Sequence, residues 1–421
     1  MYFGYDIDEK IVKLSEEVEL ELKDIFARYD NLCLLNSAKV LKAFQDNRLA
    51  STDFAEVTGY GIYDAGRDKL EKVYAQIFGA EDALVRPQIM SGTHALALTF
   101  FGLLKHGDTL LSISGRPYDS LQTIIGLVGD SKNSLIANGV KYEEIDLIND
   151  NFDVETIVKR VKQGGIKVIE IQRSRGYSQR KSLCIKQIAE ICTEIRKVNK
   201  DAIIMVDNCY GDLVEDKEPT EVGADILVGS LMKNLGGGIA KTGGYIVGKK
   251  ALIEDVAERF SAPGMGKELG ANFNENLNYF KGLYLAPRAV CSSLKTMTFA
   301  SRILEKLGFE TDPKFDEYRT DIIQRVNLHT KENMVNFCVG VQKGSPVESY
   351  VKPEPSPMAG YPNDVIMASG TFTTGSTIEF SCDGPVVPPY TAYMQGGLTY
   401  EYGKLGIMLA LNEILKEKGD F

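Results

Sequence analysis

The feature that most constrains this chain is an alternation. From residue 57 to about residue 248, short runs of aliphatic and β-branched residues take turns with segments of helical period. The runs are ALVR (83–86), TLLSIS (109–114), VKYEEID (140–146), IKVIEIQ (166–172), AIIMVD (202–207), ILVGS (226–230) and GGYIVG (243–248). Several are continuously apolar, as strands buried on both faces are. Between them, IKQIAEICTEIRKVN sets Ile185, Ile188, Ala189, Cys192, Ile195 and Val198 at steps of three and four, the spacing of an amphipathic helix. LEKVYAQIFG does the same with Leu70, Val73, Tyr74 and Ile77, and Gly79 stops it. Strand and helix in repetition predict a mostly parallel sheet covered by helices.

After about residue 288 the order changes. Helices are expected in SRILEKLGF, TDIIQRVNL and ENMVNFCVGVQK, then strands in VIMASGTF and TIEFSC, then a closing helix through GKLGIMLALNEILKE. The Pro-rich stretch 351–362 reads as a surface loop. The predicted organisation is a helical, polar arm over residues 1–50, a large α/β domain over 51–288 and a smaller α+β domain over 289–421. A chain of 421 residues is long enough for more than one core.

Charge and cysteine usage narrow the partners. The net charge is −10, and no basic run exceeds pairs such as Lys249-Lys250, so nucleic acid is not an expected partner. No apolar run approaches the ~20 residues that span a bilayer, so no membrane association is expected. The opening MYFGYDIDEKIVKLSEEVE has neither the basic nor the apolar stretch of a signal or transit sequence, and the chain is expected to begin here. Seven cysteines without a CxxC pair, and only three histidines, suit reduced thiols in a cytoplasm rather than a disulfide or zinc framework.

Open α/β sheets place ligands beyond the carboxyl ends of their strands, so the residues that follow each run carry the functional information. After ALVRP come Ser91, Gly92, Thr93 and His94, leading into a helical pattern. Small residues and free N–H groups at a helix start make a phosphate cradle. After AIIMV comes Asp207, a carboxylate whose position at the end of an apolar strand calls for a cationic partner. After ILVGS, which ends on Ser230, comes Lys233 and then the run NLGGG, a setting open enough for a planar group to bond to the amine. A phosphate cradle, a carboxylate to keep a ring nitrogen protonated and a lysine for an aldehyde are what pyridoxal 5′-phosphate (PLP) requires. The run GGGIAKTGG is not a nucleotide-binding P-loop, because Ala240 stands where that motif needs glycine and a strand follows it.

The order of cradle, Asp207 and Lys233 resembles the fold-type I PLP enzymes, with Ser230 matching the hydroxyl that those enzymes aim at the phosphate. GYGIYDAGRDKLEKVYAQIFGAEDALV resembles the stretch before the phosphate loop in the cystathionine and methionine lyases. IQRSRGYS, SLMKNLGGGIAKTGGY and APGMGKELG are similar to a branch known as the methionine gamma-lyase family or aluminium resistance proteins, and the likeness covers nearly the whole chain. The resemblance implies a Schiff base of PLP with Lys233. It implies Tyr118 stacked on the ring as a proton shuttle, and Tyr60, Tyr63 and Arg67 reaching a neighbouring subunit's phosphate. It also implies elimination at a sulfur-bearing amino acid by a cytoplasmic homo-oligomer, at least a dimer and in the family a tetramer. The same cofactor and lysine would serve transamination or retro-aldol cleavage, and a stress-response protein could keep the fold without catalysis. The better-known lyases carry a carboxylate-binding arginine on a C-terminal strand, where this chain reads TIEFSCDGP. Arg173 and Arg175, in QRSRGY, are the candidates to take over that role. Met232 is a second departure, since the lyases tend to have a hydroxyl there.

Overall fold

The computed structural model of the protein describes residues 4–60, 64–358, 361 and 363–416. It contains two compact units, one formed by Asn36–Tyr284 and the other by Met1–Leu35 with Leu285–Phe421. Two helices open the chain, α1 (Glu9–Glu21) and α2 (Lys23–Asp46). The larger unit then runs through α3 (Ala65–Ile77), β1 (Asp82–Arg86), α4 (Gly92–Leu103), β2 (Thr109–Ser112), α5 (Asp119–Ile125), β3 (Lys141–Glu144) and α6 (Val154–Lys162). It continues with β4 (Val168–Gln172), α7 (Ile185–Val198), β5 (Ile203–Asp207), β6 (Ile226–Ser230), β7 (Gly244–Gly248) and α8 (Lys250–Phe260).

All seven expected runs form one sheet of order β1-β7-β6-β5-β4-β2-β3. β7 runs antiparallel to β1 and β6, and the remaining pairs are parallel. The fold is thus α/β, with the mostly parallel sheet that the alternation predicts. Every residue of β4, β5 and β6 is buried, because side chains alternate between two covered faces. One face sets Val168, Ile203, Met205, Ile226 and Val228 against Leu96, Phe100, Val256 and Ala257 of α4 and α8. The other sets Ile169, Ile171, Ile204 and Val206 against Ile157 and Val161 of α6 and Ile188, Ile191 and Ile195 of α7. Two helix layers thus cover the central strands, while the edge strand β3 is partly exposed.

Helix α9 (Asn276–Lys306) leads to the second unit, which holds β8 (Glu310–Asp312), β9 (Ile323–Asn327), α10 (Lys331–Lys343), β10 (Val365–Ala368), β11 (Ser381–Pro385), β12 (Thr391–Gln395) and α11 (Tyr400–Lys416). Its sheet has the order β10-β11-β12-β9-β8 and is antiparallel throughout. Met334, Phe337 and Val341 of α10 and Ile407, Leu411 and Ile414 of α11 cover it, together with Ile11, Val18 and Leu22. Asp8 starts α1 by accepting from the Lys10 N–H at 2.7 Å, and its own N–H bonds Asn412 Oδ1 at 3.0 Å.

The unit is α+β, but its sheet has five strands where two were expected. TDIIQRVNL is not a helix: residues 323–327 pair with β12 from Ile323 opposite Gln395 to Asn327 opposite Thr391. The strand expected in TIEFSC begins only at Ser381. No helix among the described residues is long and apolar enough to cross a membrane.

Candidate active site

The cradle begins where α4 begins. Ser91 is the N-cap, in extended backbone, and its hydroxyl accepts from the His94 N–H at 3.1 Å. The helix cannot satisfy the N–H groups of Gly92 and Thr93 internally, so they point out of its positive end. Gly92 has a steric reason: a Cβ there would stand 3.1 Å from Cys209 Sγ and 3.3 Å from Ser230 Cβ. That close approach sets the start of α4 against the ends of β5 and β6. His94 Nδ1 accepts from the Met90 N–H at 3.2 Å, and burial pushes its imidazole below the usual histidine range, so the ring is a neutral support.

Asp207 ends β5 and is 4% exposed. One of its oxygens accepts from the Cys209 N–H at 3.0 Å. Ser230 ends β6 with its hydroxyl accepting from the Met232 N–H at 3.2 Å. Lys233 follows at once, its N–H bonded to the Ser230 carbonyl at 3.3 Å. The lysine Nζ lies 3.7 Å from the centre of the Tyr210 ring, a cation–π contact. Burial pulls the Lys233 ammonium down, but the anionic forms of Cys209, Tyr210, Asp207 and Tyr118 outweigh it and lift the group above the usual lysine range. Burial also pushes the Cys209 thiol and the Tyr118 phenol up, so both keep their protons at neutral pH. The turn beyond Lys233 needs its glycines: a Cβ on Gly236 would overlap the Leu231 carbonyl.

Tyr118 joins the same group. Its hydroxyl is 3.2 Å from that of Thr93 in the first turn of α4, and its N–H donates to Gln172 Oε1 at 2.9 Å. The structure therefore brings Ser91, Gly92, Thr93, His94, Tyr118, Asp207, Ser230 and Lys233 to one end of the sheet. Tyr60 and Arg67 lie by another segment: Tyr60 is 84% exposed and bridges Leu269, and the buried Arg67 donates to the Glu268 carbonyl at 3.4 Å. Tyr63 lies outside the described residues.

Arg173 and Arg175 follow the end of β4, and both are buried. Arg173 donates to the Leu183 carbonyl at 3.3 Å, Asn208 Oδ1 at 2.7 Å, the Gly211 carbonyl at 2.9 Å and Glu215 at 2.5 Å. Its guanidinium is thus engaged by the chain's own acceptors. Asn208 carries the network on to Asp212 and Glu218, at 2.6 and 3.0 Å, and Tyr245 also donates to Asp212. Burial holds Asp212 and Glu218 above the usual carboxylate range, and repulsion by Glu218 adds to the rise at Asp212. The network touches the lysine segment, because Asn234 Nδ2 donates to the carbonyls of Asp212 at 2.8 Å and Tyr210 at 3.1 Å. Gln172, Tyr210 and Asn234 escaped the sequence reading. Tyr210 had one signal, its place in VDNCYGD three residues beyond Asp207.

The residues fit PLP on structural grounds. An anion cradle whose close approach a Cβ would spoil, a buried carboxylate and an amine held on a π face without an ion pair among the described residues are complementary to its phosphate, ring nitrogen and aldehyde.

A family model described as methionine gamma-lyase matches residues 11–415. The protein YnbB of Bacillus subtilis is 44% identical over 412 residues, which cover 97% of this chain and 98% of that protein. Among solved structures, a carbon-sulfur lyase involved in aluminum resistance from Clostridium novyi NT is 44% identical at a TM-score of 0.93, covering 97% of this chain and 96% of that one. A proposed cystathionine beta-lyase involved in aluminum resistance from Clostridium acetobutylicum is 45% identical at a TM-score of 0.94, with the same coverage. The PLP-dependent protein YhfS from Escherichia coli, 17% identical at a TM-score of 0.62 over 91% of this chain and 96% of that one, shares the fold.

Proposed function

The chain belongs to the methionine gamma-lyase family, and from that premise we propose that it is a PLP-dependent carbon-sulfur lyase cleaving a sulfur-containing amino acid by β- or γ-elimination. The observation that carries this reading is the convergence of Lys233, Asp207, Tyr118 and the α4 cradle at one end of the sheet. PLP, when bound, supplies an electron sink for the carbanion formed at the substrate's α-carbon.

Each side chain then has a task. Ser91, Gly92, Thr93 and Ser230 bind phosphate, with the positive end of α4 adding to the attraction. Asp207 holds a proton on the ring nitrogen. Lys233 Nζ anchors the cofactor and takes the proton from Cα, and the Tyr118 hydroxyl, already in contact with Thr93, gives a proton to the departing sulfur. Arg173 is closed on the chain's own groups, and we assign the substrate carboxylate to Arg175 on its place in the run that follows β4. Tyr60, with its ring in solvent, and Arg67 and Tyr63 are assigned to the phosphate of a neighbouring subunit, which makes the active form a homo-oligomer.

Incubation with a panel of sulfur amino acids tests the reaction. Elimination releases ammonia, a keto acid and a thiol without any added acceptor. Products that appear only with an added keto acid would mean transamination instead.

A further inference from the structure

We propose that Glu170 works as a neutral carboxylic acid and is a positioning residue, holding through Ser112 and Gly115 the segment that carries Tyr118. The proposal rests on the assignment of Tyr118 to the site, and its first test does not. Glu170 lies in the middle of β4, on the face that packs against α4, and is fully buried. An acid there is unexpected among Val168, Met205 and Val228.

The hydrogen bonds fix its protonation. Ser112 Oγ is 2.6 Å from Glu170 Oε2 and 2.7 Å from the Gly115 carbonyl oxygen. A hydroxyl has one proton and a carbonyl only accepts. If Ser112 donates to Gly115, the contact with Glu170 requires a proton on the carboxyl. If Glu170 is ionised, Ser112 must turn its proton to the carboxylate, and the Gly115 carbonyl is left against a lone pair. The second oxygen, Oε1, is buried and has no hydrogen-bond partner, which a charged carboxylate tolerates poorly.

The surroundings act in the same direction. Burial raises Glu170, the Ser112 hydrogen bond pulls it back, Asp207 from β5 raises it and Arg180 from the loop after β4 lowers it, and together they bring it to about 7. The Tyr142 phenol of β3 also senses the Glu170 charge. Arg180 is occupied with the carbonyls of Gln172 and Ser174, at 2.7 and 2.8 Å.

What the proton holds is a turn. Gly115 sits at φ +82°, its N–H bonds the Ile145 carbonyl at 3.0 Å, and Tyr118 follows three residues later. The Tyr118 N–H is held by Gln172, two residues beyond Glu170 on the same face of β4. Alternate residues of one strand thus grip both ends of the segment that delivers the tyrosine.

Infrared spectroscopy of the cofactor-free full-length protein tests this. The difference spectrum of wild type minus E170Q should show a protonated carboxylic-acid carbonyl band at about pH 6, titrating away with a midpoint near 7, while the contributions of Asp212 and Glu218, common to both proteins, cancel. E170Q keeps a donor for Ser112, so it should retain kcat, whereas E170A should lower kcat on the order of ten- to a hundredfold with KM little changed. A difference spectrum without that band would overturn the proposal even if PLP binds Lys233. Should the PLP assignment fail, the band would still be present. An E170A protein with wild-type kcat would remove the positioning role.

Discussion

Two groups of charged side chains stand at the same end of the large sheet, and they differ in where their hydrogen bonds go. Around Arg173, the guanidinium, Asn208, Asp212, Glu215, Glu218 and Tyr245 bind one another, and apart from the buried Asp212 Oδ2 the network is closed. Around Lys233, the amine rests on a ring, the first N–H groups of α4 point outward, and among the described residues the Tyr118 hydroxyl hydrogen-bonds only that of Thr93. A closed network holds strands and loops in place but has nothing left for a ligand. An open one gives less to stability and keeps its donors and charges for binding. The lesson is that residue type and position after a strand do not separate the two roles; the hydrogen-bond partners do.

The comparison can be broken most sharply at Lys233. Lys233→Ala should lower elimination on the order of 10⁴-fold or more while leaving the unfolding midpoint nearly unchanged, measured by steady-state kinetics and urea denaturation. Loss of stability comparable to the loss of rate would put Lys233 in the structural class.

At Arg173 the expectation reverses. Removing one partner of a buried ion pair costs about 3–5 kcal/mol, so Arg173→Met should unfold far more easily, with any loss of activity following the loss of fold. Native stability with a raised KM would return Arg173 to substrate binding. Tyr118→Phe should lower kcat about a hundredfold with no change in melting temperature.

The smallest effect concerns pH. Asp212 and Glu218 have their affinity for protons raised on folding, so they stabilise most below the pKa of the unfolded carboxylates, and that contribution is lost as pH rises through neutrality. Asp212→Asn should flatten the fall in stability between about pH 5 and 8. An unchanged slope in denaturant titrations would mean that other groups set it.

Much of this was legible in the sequence, for identifiable reasons. The central strands of the large sheet are buried on both faces, so their apolar runs had no competing period, and residues such as Asp207, Ser230 and Lys233 could be placed by where those runs end. The small sheet was harder. In TDIIQRVNL, Ile322, Ile323 and Val326 fall at helical steps, and only pairing with β12 decides for a strand. β8 has three residues and β12 five, too short to carry a period. For Arg173 the obstacle was distance: Glu215 is 42 residues further along the chain, and nothing local announces that the two meet. Tyr210 had only its nearness to Asp207 in the sequence, and its role became visible as the ring beneath Lys233.

The central claim is that Lys233 is the residue on which the cofactor is held. Borohydride reduction of the protein loaded with PLP, followed by peptide mass mapping, tests it directly. The account predicts one phosphopyridoxyl group, on the peptide that contains Lys233. Attachment at Lys241 or another lysine, or no attachment at all, would contradict it.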